Sequence, residues 1–328
     1  MEKDCRKIKK IIKSFQAVKM KFNTRIKVIG VGGSGGNAIS RMMKCKIKGV
    51  ELIAVNADIQ DLQRTGAHRK VRIGRDLTRG LGTGMNPEVG REAAEEQRGE
   101  IQGALKGSDM IFIACGLGGG CGSGASSVVA DIAKNSGALT IAVVTKPFSF
   151  EGIQRTEIAK NSLRRLKGKV DTLITISNDK LLSILEPTTT VFNAFWVCDE
   201  ILRQAVQGIS DLIVLPGIIN IDFADVKAIM KDSGSALFGI GKARGSERGK
   251  EAAMKALTSP LLDLSCKGAK GVLFNVSGGK DISLTEIDEV AKIITQEISP
   301  EAKVIFGAIQ DEKLKEGEIK VAVIATGF

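Results

Sequence analysis

Short apolar runs alternating with helix-like stretches constrain this chain more than any other feature. RIKVIGVG, VELIAVNAD, VRIG, SDMIFIACG, GALTIAVVTKP and VDTLITISND succeed one another from Arg25 to Asp179, with a helical stretch opening at Asn37. Strands that alternate with helices build a parallel, doubly wound α/β sheet. A long helical pattern over Val191–Leu215 follows. Beyond Pro216-Gly217 the spacing predicts helices near Phe223–Lys231, at Glu247–Leu257 and at Leu284–Ile298. Strands are predicted at Ala236–Gly241, Gly271–Val276, Lys303–Gly307 and Ile319–Ala325. The expected fold is α/β: a doubly wound parallel-sheet domain joined by a long central helix to a smaller α/β domain. A length of 328 residues suits about two domains. There is no internal repeat and no low-complexity stretch.

Composition removes several classes of function. No apolar run approaches the ~20 residues needed to cross a bilayer, and 43% hydrophobic residues exclude a wholly disordered chain. The six cysteines form no CxxC pair and His68 is the only histidine, so zinc spacing and a disulfide framework are absent and a reducing cytosol fits. With no tyrosine and one histidine, phenol chemistry is excluded and a histidine triad has little room. Enzymes that manage without these groups commonly position phosphates.

The formal charge of +11 is unevenly spread. Residues 1–22 carry eight Lys/Arg against Glu2 and Asp4, a net +6, which leaves +5 for the remainder. Ile8, Ile11, Ile12, Phe15 and Val18 recur there at helical spacing, so a short basic amphipathic helix is expected, either as a solvated extension or as a contact with anionic lipid. Aromatic residues are not interleaved with basic clusters, so no nucleic acid is expected as a partner.

Two glycine clusters carry the chemistry. Gly30-Val31-Gly32-Gly33-Ser34-Gly35-Gly36-Asn37 sits where a strand ends and a helix begins, a place where backbone N–H groups and the helix dipole favour phosphate. Gly30, Gly32 and Gly35 also satisfy GxGxxG, which equally fits a nicotinamide-dependent oxidoreductase with Asp58 on the ribose. The second cluster, Gly116-Leu117-Gly118-Gly119-Gly120-Cys121-Gly122-Ser123-Gly124, again follows a buried strand and precedes a helical run at Ser127–Lys134. Two such loops at neighbouring strand ends would enclose a polyphosphate from both sides, whereas a dinucleotide enzyme needs one. A Walker-type GxxxxGK[ST] loop is absent.

GLGGGCGSG resembles the tubulin/FtsZ signature, usually GGGTGTG. The resemblance continues through KPFSFEG, ITISNDKLL, AVQGISDLI, PGIINIDFADV, SPLL and VIATGF, over about residues 25–328. The order of these motifs looks like bacterial FtsZ rather than eukaryotic tubulin. The resemblance implies a GTP-binding domain over 23–190, a central helix over 191–217 and an assembly domain over 218–328, preceded by the 1–22 extension. It implies that Gly33, Ser34, Gly35, Gly36 and Asn37, with Gly118, Gly119, Gly120, Cys121 and Gly122, cradle the phosphates of GTP or GDP with Mg²⁺. Glu151 and Arg155 would reach the ribose and phosphate side. Asn178 and Asp199 would read the guanine edge, and Phe195, one helical turn before Asp199, would stack on the base.

Asn220, Asp222 and Asp225, just after the central helix, would enter the nucleotide site of the next subunit and orient or polarise the attacking water. Read by itself, Asp222 is a helix N-cap. The implied protein is a head-to-tail filament-forming GTPase of the division ring, cytoplasmic at the division site, with other division proteins as partners. The competing expectation is a degenerate relative that polymerises with little hydrolysis. Cys121 stands where the family has Thr, and a thiol is a weak donor, so slower turnover is expected. Its place at a helix N-terminus also predicts a lowered thiol pKa. The chain ends at Phe328, where FtsZ relatives usually continue to a partner-binding peptide, so residues 1–22 become the expected membrane contact.

Overall fold

A computed structural model describes residues 24–182, 185–186, 188–215, 217–259, 266–311 and 314–328. The expected basic helix over 1–22 lies outside them. Among the described residues ten strands form one sheet in the order β3-β2-β1-β4-β5-β6-β7-β10-β8-β9. The first half comprises β1 (Ile26–Val31), β2 (Val50–Asn56), β3 (Arg69–Arg72), β4 (Met110–Gly116), β5 (Leu139–Lys146) and β6 (Thr172–Ser177), all paired in parallel. Except in the edge strand β3, where only Val71 is buried, their apolar runs follow from helices covering both faces. One face carries α1 (Gly32–Lys44) and the long α8 (Val191–Val214). The other carries α3 (Pro87–Glu96), α4 (Arg98–Leu105), α5 (Gly120–Asn135) and α6 (Ile153–Lys167). Short α2 (Ile59–Arg64) and α7 (Asn178–Leu182) follow β2 and β6. The chain goes from β1 to β2 on one side and to β4 on the other, so the strand order reverses beside β1, where open α/β sheets bind ligands.

In the second half β10 (Glu318–Thr326) runs antiparallel between β7 (Gly234–Arg244) and β8 (Gly271–Gly278), and β9 (Lys303–Gln310) closes the edge. The helices α9 (Phe223–Met230), α10 (Arg248–Leu257) and α11 (Leu284–Gln296) complete it. The smaller domain does not simply hang on the central helix. Thr172, Leu173 and Ile174 pair in parallel with Gly234, Ser235 and Ala236, so the sheet runs through both halves. Leu202, Val206 and Ile209 of α8 share one apolar core with Phe112 and Ile141 on one side and Phe238 and Ile324 on the other.

Both glycine clusters differ from expectation in where the helix starts. α1 begins at Gly32 rather than Asn37, and α5 at Gly120 rather than Ser127. Close packing overrides the low helix propensity of glycine. A Cβ on Gly124 would lie 1.9 Å from the Pro87 carbonyl oxygen, and one on Gly90 of α3 would lie 2.3 Å from the Gly120 oxygen. Only Gly32 and Gly118 within the two clusters take positive φ, at 73° and 102°.

Candidate functional site

A cleft of about 590 Å³ opens at the C-terminal ends of β1, β4 and β5, within the size range of small-ligand sites. Strand ends and helix starts position its wall. Gly33, Ser34 and Asn37 come from the first turns of α1, and Gly119, Gly120, Cys121 and Gly122 from the turn into α5. Two helix N-termini with few side chains thus meet in one cleft, an arrangement suited to an anion held by backbone N–H groups. Gly119 has open space where a Cβ would be, so the wall there is bare backbone.

Three of the expected cradle glycines stand behind the wall. Gly35 packs against the Ala114 carbonyl of β4, and Gly36 packs against Thr65. The Gly118 N–H donates to Ser123 Oγ at 2.9 Å. A helix start fits against a strand end only where Cβ atoms are missing, so these residues are framework and do not line the cleft.

The opposite wall comes from α6 to α8. Glu151 accepts from the Phe148 N–H at 2.9 Å and pairs with Arg155 at 3.1 Å, and both line the cleft. Phe195 turns its ring edge-on to Phe148, 5.3 Å between centroids, and remains 39% exposed, so a face is free to stack on a planar ligand. Asn178 is buried and its Oδ1 has no hydrogen-bond partner among the described residues. A buried, unsatisfied acceptor on a cleft wall points to a ligand donor. Asp199 accepts from Ser34 Oγ at 3.4 Å and lies 3.7 Å from Arg41 Nε. Burial raises its carboxyl pKa to about 6, against the opposing pull of Arg41 and Ser34.

Sequence reasoning did not find several lining residues. Asn56, Asp61 and the segment Leu81–Gly84 close the cleft over α1. Asp58, considered above only for ribose, caps α2 by accepting from the Gln60 and Asp61 N–H groups. Asp61 accepts from Asn56 Nδ2 at 2.7 Å, and its pKa is raised by burial and then by the neighbouring Asp58. The Leu81–Gly84 loop has no hydrophobic period and so leaves no pattern to find. Cys121 corrects another expectation. Its thiol is pushed up to about 11 by burial, with Asp61 and Asp58 adding to the rise and a hydrogen bond with the Ala57 backbone opposing it.

Asn220, Asp222 and Asp225 do not line this cleft. Asn220 Oδ1 accepts from the Gly217 N–H at 2.7 Å, and Asp222 caps α9 by accepting from the Asp225 N–H at 2.7 Å. They follow the far end of α8, whose fifteen steps from Asp199 to Val214 span about 22 Å. Val214 itself packs against Gly49, just before β2 begins, at the end of the strands opposite the cleft.

Family models match two parts of the chain: "Tubulin/FtsZ family, GTPase domain" over residues 25–186 and "FtsZ family, C-terminal domain" over residues 234–328. Cell division protein FtsZ 1 of Thermococcus kodakarensis is 50% identical over 320 residues, 98% of this chain and 83% of that protein. An empty FtsZ dimer from M. jannaschii superposes with a TM-score of 0.90 at 46% identity, covering 98% of this chain and 92% of that one. CetZ2 of Haloferax volcanii shares the fold, with a TM-score of 0.77 at 22% identity over 92% of each chain. The first two of these relatives are archaeal, which does not support the bacterial branch expected from motif order.

Proposed function

The chain belongs to the FtsZ family of tubulin-like proteins, and from that premise we propose how its surfaces divide the work of a polymerising cell-division GTPase. The family binds and hydrolyses GTP. On our reading, the glycine walls of the cleft hold the phosphates, Glu151 and Arg155 reach the ribose and phosphate side, and Phe195 stacks on the base. Asn178 and Asp199 accept hydrogen bonds from guanine. Asn220, Asp222 and Asp225 of a second copy orient the attacking water. The observation that carries this reading is the separation of the acids from the cleft along α8. A chain that cannot bring its own acids to its own phosphates needs a neighbour, and a contact between two different faces propagates head to tail.

Mg²⁺ fits the cleft. The ion keeps several of its waters and binds through one or two carboxylates together with substrate phosphates. Asp58 and Asp61 stand as two close carboxylates, with the Asp61 carboxyl pushed up by burial and by Asp58, a strain that a cation relieves. These two would hold the ion, which would offset phosphate charge. Among the described residues no helix is long and apolar enough to cross a membrane. Location at a cytoplasmic division site, other division proteins and a lipid contact through residues 1–22 complete the proposal.

Mixing tests the shared site. One variant, Asp222→Asn with Asp225→Asn, keeps its cleft but loses its acids; another, Gly119→Trp, keeps its acids but fills its cleft. Each alone should release little phosphate, and an equal mixture should recover part of the wild-type rate. If the double-Asn variant alone hydrolyses GTP at the wild-type rate, the acids have another role.

A further inference from the structure

Arg41 stands one layer behind the cleft and belongs to none of the roles above. Its guanidinium carbon lies 4.7 Å over the ring of Trp196, and its Nε lies 3.7 Å from Asp199 Oδ2. At that separation the pair is an ion pair without a hydrogen bond, and the buried Nε has no other partner among the described residues. Arg41 and Ser34 are seven residues, two turns, apart on α1, so one helix face presents both to the same carboxylate. Trp196, the only tryptophan of the chain, follows Phe195, which lines the cleft, and is 43% exposed.

We propose that Arg41 is a positioning residue for base recognition, acting on a guanine-type ligand through Asp199, with Trp196 as the optical reporter of the same guanidinium. The proposal rests on the reading that Asp199 accepts from the base. An ionised Asp199 takes the N1–H and the 2-amino group of guanine and repels the lone pair at N1 of adenine. A protonated Asp199 loses that discrimination. Ionisation against the cost of burial therefore sets selectivity, and Arg41 is the cation placed to favour it.

The neighbouring charges are otherwise engaged. Cys198, beside Asp199, is a neutral thiol pushed up to about 12. Glu200 is paired with Arg203 and also faces Arg41, and Glu151 is paired with Arg155. Of the elements packed on α8, α7 brings Asp179, which accepts from Ser149, and Lys180, while β5 brings Lys146. Of all these groups only Arg41 acts on the Asp199 carboxyl.

The test measures GDP and ADP affinity from pH 5.5 to 8 for the wild type, Arg41→Lys, Arg41→Leu and Asp199→Asn, with Trp196 emission followed in the same titrations. Phosphate protonation near pH 6 is common to both nucleotides and cancels in the GDP/ADP ratio. In the wild type the ratio should collapse below about pH 6. In Arg41→Leu the collapse should begin about one pH unit higher, and Arg41→Lys should restore it. GDP should change Trp196 emission in the wild type and leave it unmoved in Arg41→Leu. Should Arg41→Leu not fold, Arg41→Gln supplies the uncharged arm. An equal loss of GDP and ADP affinity at every pH would make Arg41 merely structural and overturn the proposal. A wild-type profile in Arg41→Leu, with selectivity lost in Asp199→Asn, would overturn it while leaving the guanine reading intact. Selectivity unchanged in Asp199→Asn would remove the guanine reading itself.

Discussion

Gly124 of α5 is pressed against Pro87 of α3 so closely that a methyl group on it would lie 1.9 Å from the Pro87 carbonyl oxygen. Gly119, five residues earlier, meets nothing within 4 Å. Two glycines of one motif therefore answer to different demands. Gly124→Ala should destabilise the protein by about 3 kcal/mol or more, because backbone rather than a flexible side chain must yield. Gly119→Ala should keep its melting temperature within about 2 °C while weakening GTP binding, since the added methyl enters the cleft. Thermal melts beside nucleotide titrations separate the two, and equal destabilisation would refute the distinction.

Asp222 caps α9, so removing it changes two things at once. Asp222→Ala should cost about 1 kcal/mol of stability as well as turnover. Asp222→Asn keeps a cap of equal quality, so its stability should match the wild type while phosphate release falls at least tenfold. Binding of GTP by the dilute protein should be unaffected. Loss of binding in Asp222→Asn would place this residue in its own chain's site.

Asp199 makes the empty protein less stable at neutral pH. Its carboxyl pKa is raised from an ordinary 3.8 to about 6, so folding favours the protonated form. The cost is fully present well above pH 6, fades as pH falls through 6 and is gone only below about 3.8, where both folded and unfolded states are protonated. The nucleotide-free wild type should therefore gain about 1–3 kcal/mol from this group between pH 7 and pH 4, a gain missing from Asp199→Asn. At pH 7.5 the Asn variant should melt higher than the wild type yet bind GTP more weakly. A parallel pH dependence in the two proteins would count against this assignment.

Cys121 should alkylate slowly. With its thiol pushed up to about 11, little thiolate exists at pH 8, whereas Cys45 is exposed. Peptide mapping after a short iodoacetamide pulse should find Cys45 modified and Cys121 intact, with or without GTP. Cys121→Thr, which gives the cleft a stronger donor, should raise turnover a few-fold. Rapid labelling of Cys121 would show that the helix dipole outweighs burial.

Strand identity was legible in β1, β2, β4, β5 and β6 because these parallel strands are buried almost throughout and read as apolar runs, whereas β3 is Arg-Lys-Val-Arg with only Val71 buried. The helices were legible in their ends: Val191 and Leu284 begin where the pattern places them. The first turns of α1 and α5 were not, because glycine propensity says nothing of Ala114 or Pro87, which lie far along the chain and hold those turns in place. α3 also went unread, although Asn86-Pro87 is an N-cap followed by proline at the first helical position. The cleft lining was visible where it rests on motif glycines, Phe195 and Asp199. It was invisible at Leu81–Gly84, whose place depends on an isolated bridge between Leu81 and Asp58. Arg41 escaped because a cation on an amphipathic helix looks like a solvated one until Trp196 and Asp199 are brought against it.

The long helix α8 carries cleft residues near its start and delivers the acid loop just past its end. A polymer built on that plan has two unlike tips. If the acids of one copy serve the cleft of the next, one tip would show an uncovered nucleotide with no acids above it, and its terminal subunit would keep its GTP intact. The other would show acids with no nucleotide to act on. Every interior subunit would then run a clock that starts only when the next copy lands, so that growth and loss would follow different chemistry at the two ends.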